Sequence, residues 1–256
     1  MIPLPAITAW STTHPWPTPD QVEQDLLLAR AICAIATDPY LGDELTFRGG
    51  TALHKLHLDH SYRYSEDLDY VRSTGGGVGR VLDALKDVGR ALGFTVKSTL
   101  GEHPKVFWRT ASEAGNPLRI KIEINTHERS PAMPVAHVRH QVASSWWDGE
   151  ADIRTFQIEE LIATKIRALF QRSKGRDLYD IWLALTVAEV DPERVVAAFA
   201  PYRPDGYTSA RAVTNLEAKL AERNFRGDLD LLAIESGSYD IDAAAALVVG
   251  RLISLV

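Results

Sequence analysis

The sequence predicts an α+β fold in two domains: a mixed-sheet domain over residues 1–150 and a helical domain over 151–256. Three observations predict it. Segment 118–125 alternates, with Leu118, Ile120, Ile122 and Ile124 on one face and Arg119, Lys121 and Glu123 on the other, the period of a half-buried strand. Other short strand-like runs in the first half alternate with segments of helical spacing. From residue 157 onward almost every patterned segment is helical, and that change of character places a domain boundary near residue 150.

The elements follow in order. Residues 1–17 carry four prolines and two tryptophans without a period, and predict an irregular arm lying on the body. Thr18-Pro19-Asp20-Gln21 opens a helix, with Thr18 as N-cap, Pro19 at the first helical position and Gln21 closing a capping box. Val22, Leu26, Ala29, Ile32, Cys33 and Ala36 carry that helix to about Thr37. A short strand over 45–48, a turn at Gly49-Gly50, a helical stretch over 51–58, a loop over 61–65 and a strand over 67–72 come next. Gly75-Gly76-Gly77 reads as flexible, 78–92 as an amphipathic helix, and 94–99 and 105–110 as strands. Pro131, Pro134 and the stretch 144–149 break the pattern. Helices are then expected over 157–171, 176–187, 192–200, 209–222 and 241–255.

With 256 residues, 45% hydrophobic and 24% charged, the chain has ordinary soluble globular composition. Its one cysteine, Cys33, cannot form an internal disulfide, which points to a reducing, cytoplasmic setting. No apolar run reaches membrane-spanning length, and no signal peptide is expected. A net charge of −6 argues against indiscriminate nucleic-acid binding. Locally, however, Lys165, Arg167, Arg172, Lys174 and Arg176 form a basic run with no acid between them. Such a run is either a solvated face or a set of phosphate contacts.

The most informative residues are Asp67 and Asp69, in Ser65-Glu66-Asp67-Leu68-Asp69-Tyr70. On a strand they point the same way, about 7 Å apart at Cα. Two carboxylates on one face repel unless a cation lies between them, and Mg²⁺ is usually held by one or two carboxylates plus substrate phosphates. Upstream, Gly49-Gly50-Thr51 opens a helix whose free N–H groups suit a triphosphate. Read alone, the glycines are also consistent with a plain tight turn. Glu123 is either a solvated strand residue or, if its strand pairs beside 67–72, a third acid at the metal site.

Lys165 falls within the apolar stripe of Ile158, Leu161, Ile162, Ile166 and Leu169. A lysine there is costly unless it snorkels, finds a partner or reaches a site. Asp177 and Asp180 share a helix face three residues apart, as first-turn acids or as a group orienting Lys165, and Arg176 is placed to pair with Asp180. Ser65 is either a loop hydrogen-bonder or part of the site. His54, His57 and His60, spaced by three, are expected to be solvated rather than a metal cluster.

Gly49-Gly50-Thr51-Ala52-Leu53 with Lys55, then Ser65-Glu66-Asp67-Leu68-Asp69, then Lys121-Ile122-Glu123-Ile124-Asn125, resembles the nucleotidyltransferase signature of the DNA polymerase β superfamily. With Lys165 and Arg176-Asp177-Leu178-Tyr179-Asp180, the four blocks in order resemble the AbiEii/AbiGii toxin family, which includes the MenT-type toxins. The resemblance covers residues 48–183, and the helices beyond 190 match no motif. It implies a bilobed fold, a polymerase β-like nucleotidyltransferase domain followed by a helical domain. It also implies a toxin of a toxin–antitoxin or abortive-infection system, transferring nucleotides from an NTP to RNA, the tRNA 3′ end above all, and so blocking translation.

On this resemblance Asp67, Asp69, Ser65, Lys165 and Asp177 are catalytic. Gly49, Gly50, Thr51, Lys55, Arg176 and Asp180 contact the nucleotide, and Mg²⁺ is held by Asp67, Asp69 and Glu123. The acceptor is expected in an interdomain cleft, the partners are NTP, tRNA and a cognate antitoxin, and the protein is expected to be a monomer. The rival readings are transfer of a nucleotidyl or phosphoryl group onto a protein such as the antitoxin, a catalytically dead binding module, and a small-molecule nucleotidyltransferase of the antibiotic-resistance kind. Intact Asp67 and Asp69 count against the second, and the block around Asp177 against the third.

Overall fold

The computed structural model describes residues 1–60, 62–230, 232 and 239–256. The chain divides into two units, one of Met1–Ser130 and Val135–Phe156, the other of Pro131–Pro134 and Gln157–Val256.

The first unit runs α1 (Leu4–Ser11), α2 (Pro19–Thr37), α3 (Leu41–Glu44), β1 (Leu45–Arg48), α4 (Gly49–Ala52, continuing as a π-helical turn over Leu53–His57), β2 (Asp67–Arg72), α5 (Gly79–Ala91), β3 (Thr95–Thr99), β4 (Lys105–Ala111), β5 (Pro117–Asn125), β6 (Ala136–Ala143) and β7 (Asp148–Thr155). Its seven strands form one sheet in the order β3-β4-β5-β2-β1-β7-β6. The β2–β5 and β1–β7 pairs are parallel and the others antiparallel, so the sheet is mixed as expected. The capping box opens α2 as the sequence requires: Gln21 N donates to Thr18 Oγ1 at 3.2 Å, and Thr18 N to Gln21 Oε1 at 3.0 Å. Helix α2 packs along β5 and β7, and Gln24 Nε2 donates to the Arg119 carbonyl at 3.0 Å. Helix α5 packs on β3 and β4, where Trp108 Nε1 donates to the Leu85 carbonyl at 3.1 Å.

Strand alternation divides the sheet chemically. Leu68 and Tyr70 of β2, and Ile120, Ile122 and Ile124 of β5, are buried in the core. Asp67, Asp69, Lys121 and Glu123 alternate with them on the other face and are only half-buried.

Several expectations change. The irregular arm contains α1, which buries Ile7 and packs on α2. The pattern-breaking stretch after Pro134 holds the β6–β7 hairpin. Its apolar signal is weak because β6 buries only Val142 and β7 turns inward the small or polar residues Ala151 and Thr155 together with Ile153. The expected boundary at residue 150 therefore falls inside β7, and the division lies at Phe156–Gln157. Gly75-Gly76-Gly77 is not a loose loop: the buried Arg72 guanidinium, paired to Glu44 at 2.9 Å, donates to the Gly76 and Gly77 carbonyls at 2.8 and 3.2 Å. The expected loop over 61–65 begins on Ser61, outside the described residues.

The second unit holds α6 (Ile158–Gln171), α7 (Gly175–Thr186), α8 (Pro192–Phe199), α9 (Ser209–Leu220), α10 (Arg223–Arg226) and α11 (Ile241–Arg251). Helix α6 packs on α7, α8 and α9. Segment Pro131–Pro134 joins this unit because Glu160, fully buried, accepts from the Ala132 and Met133 N–H groups at 2.6 and 3.0 Å and from the Tyr202 hydroxyl at 2.5 Å. Among the described residues no helix is long and apolar enough to cross a membrane.

Candidate active site

The site on the first unit starts where β1 ends. Gly49 has φ +83°, and a Cβ there would lie 2.5 Å from Asp69 Oδ2, so the turn needs glycine for both its conformation and its approach to the acid. A Cβ on Gly50 would run into the Arg63 guanidinium and come within 3.3 Å of Ser65 Oγ. Thr51 is buried; its hydroxyl lies 2.8 Å from Ser65 Oγ and donates to the Asp67 carbonyl at 2.5 Å. The glycine turn, Ser65 and the start of β2 are thus tied together. The first N–H groups of the α4 segment have no partner within the helix, as in any helix start.

Pairing of β2 with β5 sets Asp67 opposite Lys121 and Asp69 opposite Glu123, while β1 sets Arg48 opposite Asp69. The Asp69 carboxyl is held above the usual carboxylate range, first by burial and then by the Asp67 charge, with Glu123 adding to it and Arg48 and Lys121 opposing. Lys121 Nζ lies 2.7 Å from Asp67 Oδ2 and 3.7 Å from Glu123 Oε2. Lys105 Nζ, from β4, lies 3.4 Å from Glu123 Oε2. Burial opposes the charge on Lys121, but the hydrogen bond to Asp67 and the surrounding acids outweigh it and raise the ammonium pKa. Arg48 is held by Glu128 at 2.6 Å, and Glu128 accepts from Asn125 Nδ2 at 3.0 Å.

Asp67 and Asp69 are hard oxygen donors on one strand face, the chemistry a divalent cation such as Mg²⁺ selects. Among the described residues no three His, Cys, Asp or Glu side chains converge on one point. Asp67 and Asp69 supply that donor set, and Glu123, expected as a third ligand, lies 3.4 Å from the Lys105 ammonium and 3.7 Å from that of Lys121. Lys55, expected at the nucleotide, has its ammonium 2.8 Å from buried Asp25, which also accepts from Trp10 Nε1 at 2.9 Å. The three histidines are not uniformly solvated: His54 is buried, and burial pushes half-buried His57 down to about 4 against a raising hydrogen bond with the Phe156 backbone, leaving His60 exposed.

The helical unit holds the other expected residues. Lys165 Nζ lies 3.0 Å from Asp177 Oδ1 and 2.8 Å from Asp180 Oδ2, with both carboxylates at 0% exposure and the lysine at 8%. Arg172 Nε and Nη2 donate to Asp177 at 2.7 and 2.9 Å. Burial alone would raise the Asp177 pKa, but Lys165 and Arg172 overrule it and bring it below the usual range. Arg176 does not pair with Asp180 as expected; its backbone N–H donates to Asp228 Oδ2 at 3.1 Å, and Lys174 Nζ lies 3.6 Å from the same carboxylate. Arg167 stands over the Tyr202 ring at 5.4 Å. The run that carries no acid in sequence is supplied with carboxylates from α7 and from Asp228.

A family model described as the nucleotidyl transferase AbiEii toxin of type IV toxin–antitoxin systems matches residues 30–246, most of the chain. The chain belongs to the AbiEii family. Its fold is similar to that of MenT4, a nucleotidyltransferase toxin from Mycobacterium tuberculosis H37Rv, at 18% identity and a TM-score of 0.50, with 95% of this chain and 96% of that one covered. An antigenic nucleotidyltransferase-like protein from Paracoccidioides brasiliensis aligns at 15% identity and a TM-score of 0.41, covering 88% of this chain and 98% of that one. No curated protein matches the chain. As a member of the AbiEii family it is a nucleotidyltransferase of the toxin class.

Three residues of this AbiEii-family chain were not legible as part of the site. Lys121 stands on the polar face of its strand in the sequence, but only the β2–β5 register reveals Asp67 as its partner. Lys105 and Arg63 carried no signal. Arg63 is buried against Gly50, with Nη1 donating to the Tyr64 carbonyl at 3.1 Å.

Proposed function

We propose that this AbiEii-family enzyme transfers nucleotides from a nucleoside triphosphate onto RNA, at the 3′ end of tRNA, in a Mg²⁺-dependent reaction that blocks translation until a cognate antitoxin counters it. The observation that carries this reading is the seating of Gly49 directly against Asp69, which brings a phosphate-type turn to the pair of carboxylates on β2. In this reading Asp67 and Asp69 hold the metal, and bound Mg²⁺ supplies charge stabilisation to the attacking and leaving oxygens. Backbone N–H groups at Gly50 and Thr51 hold phosphate oxygens. Ser65, bonded to Thr51, fixes the turn to the strand. The acceptor hydroxyl oxygen bonds to the α-phosphorus, the α–β anhydride bond breaks, pyrophosphate leaves, and the hydroxyl proton goes to water.

Lys165 is assigned a positioning role here, because its ammonium already serves two buried carboxylates. With Asp177 and Asp180 it locks α6 to α7, and Asp177 in turn holds Arg172. Incubation with each α-labelled triphosphate and total tRNA, with Mg²⁺ or with chelator, tests the reading. A labelled tRNA band that requires Mg²⁺ and disappears in Asp69→Asn is the expected result. Label on protein with none on RNA would replace this reading by nucleotidyl transfer to a protein such as the antitoxin.

A further inference from the structure

The register that brings Glu123 opposite Asp69 also brings a lysine opposite Asp67. Lys121 Nζ is 2.7 Å from Asp67 Oδ2, inside the distance of a charge-assisted hydrogen bond. Both side chains are partly open to solvent, at 24% and 39% exposure. The second lysine, Lys105, approaches Glu123 and not Asp67. So one carboxylate of the β2 pair carries its own protein cation, on the face where that pair is exposed.

That arrangement has a physical consequence. Like charges on one strand face need a counter-charge whether or not a metal is bound. An ammonium and a divalent cation that both seek the Asp67 oxygens compete for them. A half-exposed ion pair of this kind is weak and exchanges readily. An ammonium released from Asp67 stays on the same face, tethered by β5, where a polyanion bound to the metal would meet it. Lysine suits that task as a mobile point charge with three donors.

We propose that Lys121 holds the place of a divalent cation on Asp67 in the metal-free enzyme and moves to the triphosphate of the nucleotide when that cation binds. Lys121 is then a substrate-binding residue for polyphosphate, and its release couples metal binding to nucleotide binding. This rests on the metal reading of Asp67 and Asp69 given above.

The test measures binding by calorimetry, first of Mn²⁺ alone and then of inorganic tripolyphosphate at saturating Mn²⁺, so that neither base preference nor turnover enters. The proteins are the wild type, Lys121→Met, Lys121→Arg, Lys105→Met and Asp69→Asn, each checked for an unchanged melting temperature. Lys121→Met should bind Mn²⁺ more tightly, by roughly 3- to 10-fold as expected for loss of a competing half-exposed charge. The same variant should bind tripolyphosphate about 10-fold more weakly, as expected for loss of one charge-assisted contact. Lys121→Arg should restore most of the tripolyphosphate affinity, and Lys105→Met should change Mn²⁺ binding less than Lys121→Met. Wild-type Mn²⁺ affinity in Lys121→Met overturns the proposal, as does unchanged tripolyphosphate affinity. If Asp69→Asn abolishes Mn²⁺ binding while Lys121→Met behaves as wild type, only the role of Lys121 fails. If Asp69→Asn binds Mn²⁺ normally, the metal reading itself fails and takes this proposal with it.

Discussion

Replacing Lys165 by alanine should destabilise the helical unit severely. The ammonium sits 3.0 Å from Asp177 Oδ1 and 2.8 Å from Asp180 Oδ2, and neither carboxylate has any exposed side-chain surface. Removing one partner from a buried ion pair costs about 3–5 kcal/mol, because the charge left behind stays desolvated. Asp177 keeps its two hydrogen bonds from Arg172, so the loss falls at the lower end of that range if they hold its charge. At about 2–4 °C per kcal/mol for a chain of this size, the melting temperature should fall by roughly 6–20 °C. Differential scanning calorimetry at pH 7 measures it directly. The fall should persist at high salt, since buried pairs are poorly screened. Lys165→Met combined with Asp180→Leu should recover part of the loss, because an apolar pair replaces a broken ionic one. A Lys165→Ala protein that melts within about 2 °C of wild type but transfers no nucleotide would refute this reasoning. The ammonium would then act in the reaction, and its contacts with Asp177 and Asp180 would contribute nothing to the fold.

Three further outcomes follow from the same geometry. Asp69→Ala should lower nucleotide transfer by at least about 10²-fold with a normal circular-dichroism spectrum, and full transfer by that variant would remove the metal assignment. Gly49→Ala should cost about 1–2 kcal/mol for a side chain in the left-handed region, and its collision with Asp69 should reduce transfer on the order of 10²-fold; urea unfolding and labelled-nucleotide transfer measure the two effects separately. The depressed pKa of Asp177 contributes stability that is fully present above its unfolded value of about 3.9 and is lost as pH falls through the lower folded value. Urea unfolding across pH 2–6 should therefore show a steeper acid loss in wild type than in Asp177→Asn, and parallel curves would contradict the assignment.

The acidic pair and the glycine turn were legible because their signals are local. Asp67 and Asp69 share a face by strand periodicity alone, and Gly49-Gly50-Thr51 announces a helix start within three residues. Helix α2 was legible to its N-cap, since a capping box is a four-residue contact. Helix α1 and the β6–β7 hairpin were not. Their burial depends on a neighbour, and an edge strand that buries one residue beside a strand with small or polar inward residues leaves little apolar alternation to detect.

By itself, then, the sequence determined the α+β class, the alternating faces of β2 and β5, and the place of Lys165 on an apolar stripe, because each depends on periodicity within one element. Only tertiary structure decided what those faces meet. Strand register set Glu123 beside Asp69 and put Lys121 on Asp67. Packing of α6 on α7 gave Lys165 two carboxylates, and Asp228, more than fifty residues along from Lys174 and Arg176, drew those cations out of the apparent basic run. Coulomb energy depends on distance in space and on local burial, and neither is a function of separation along the chain.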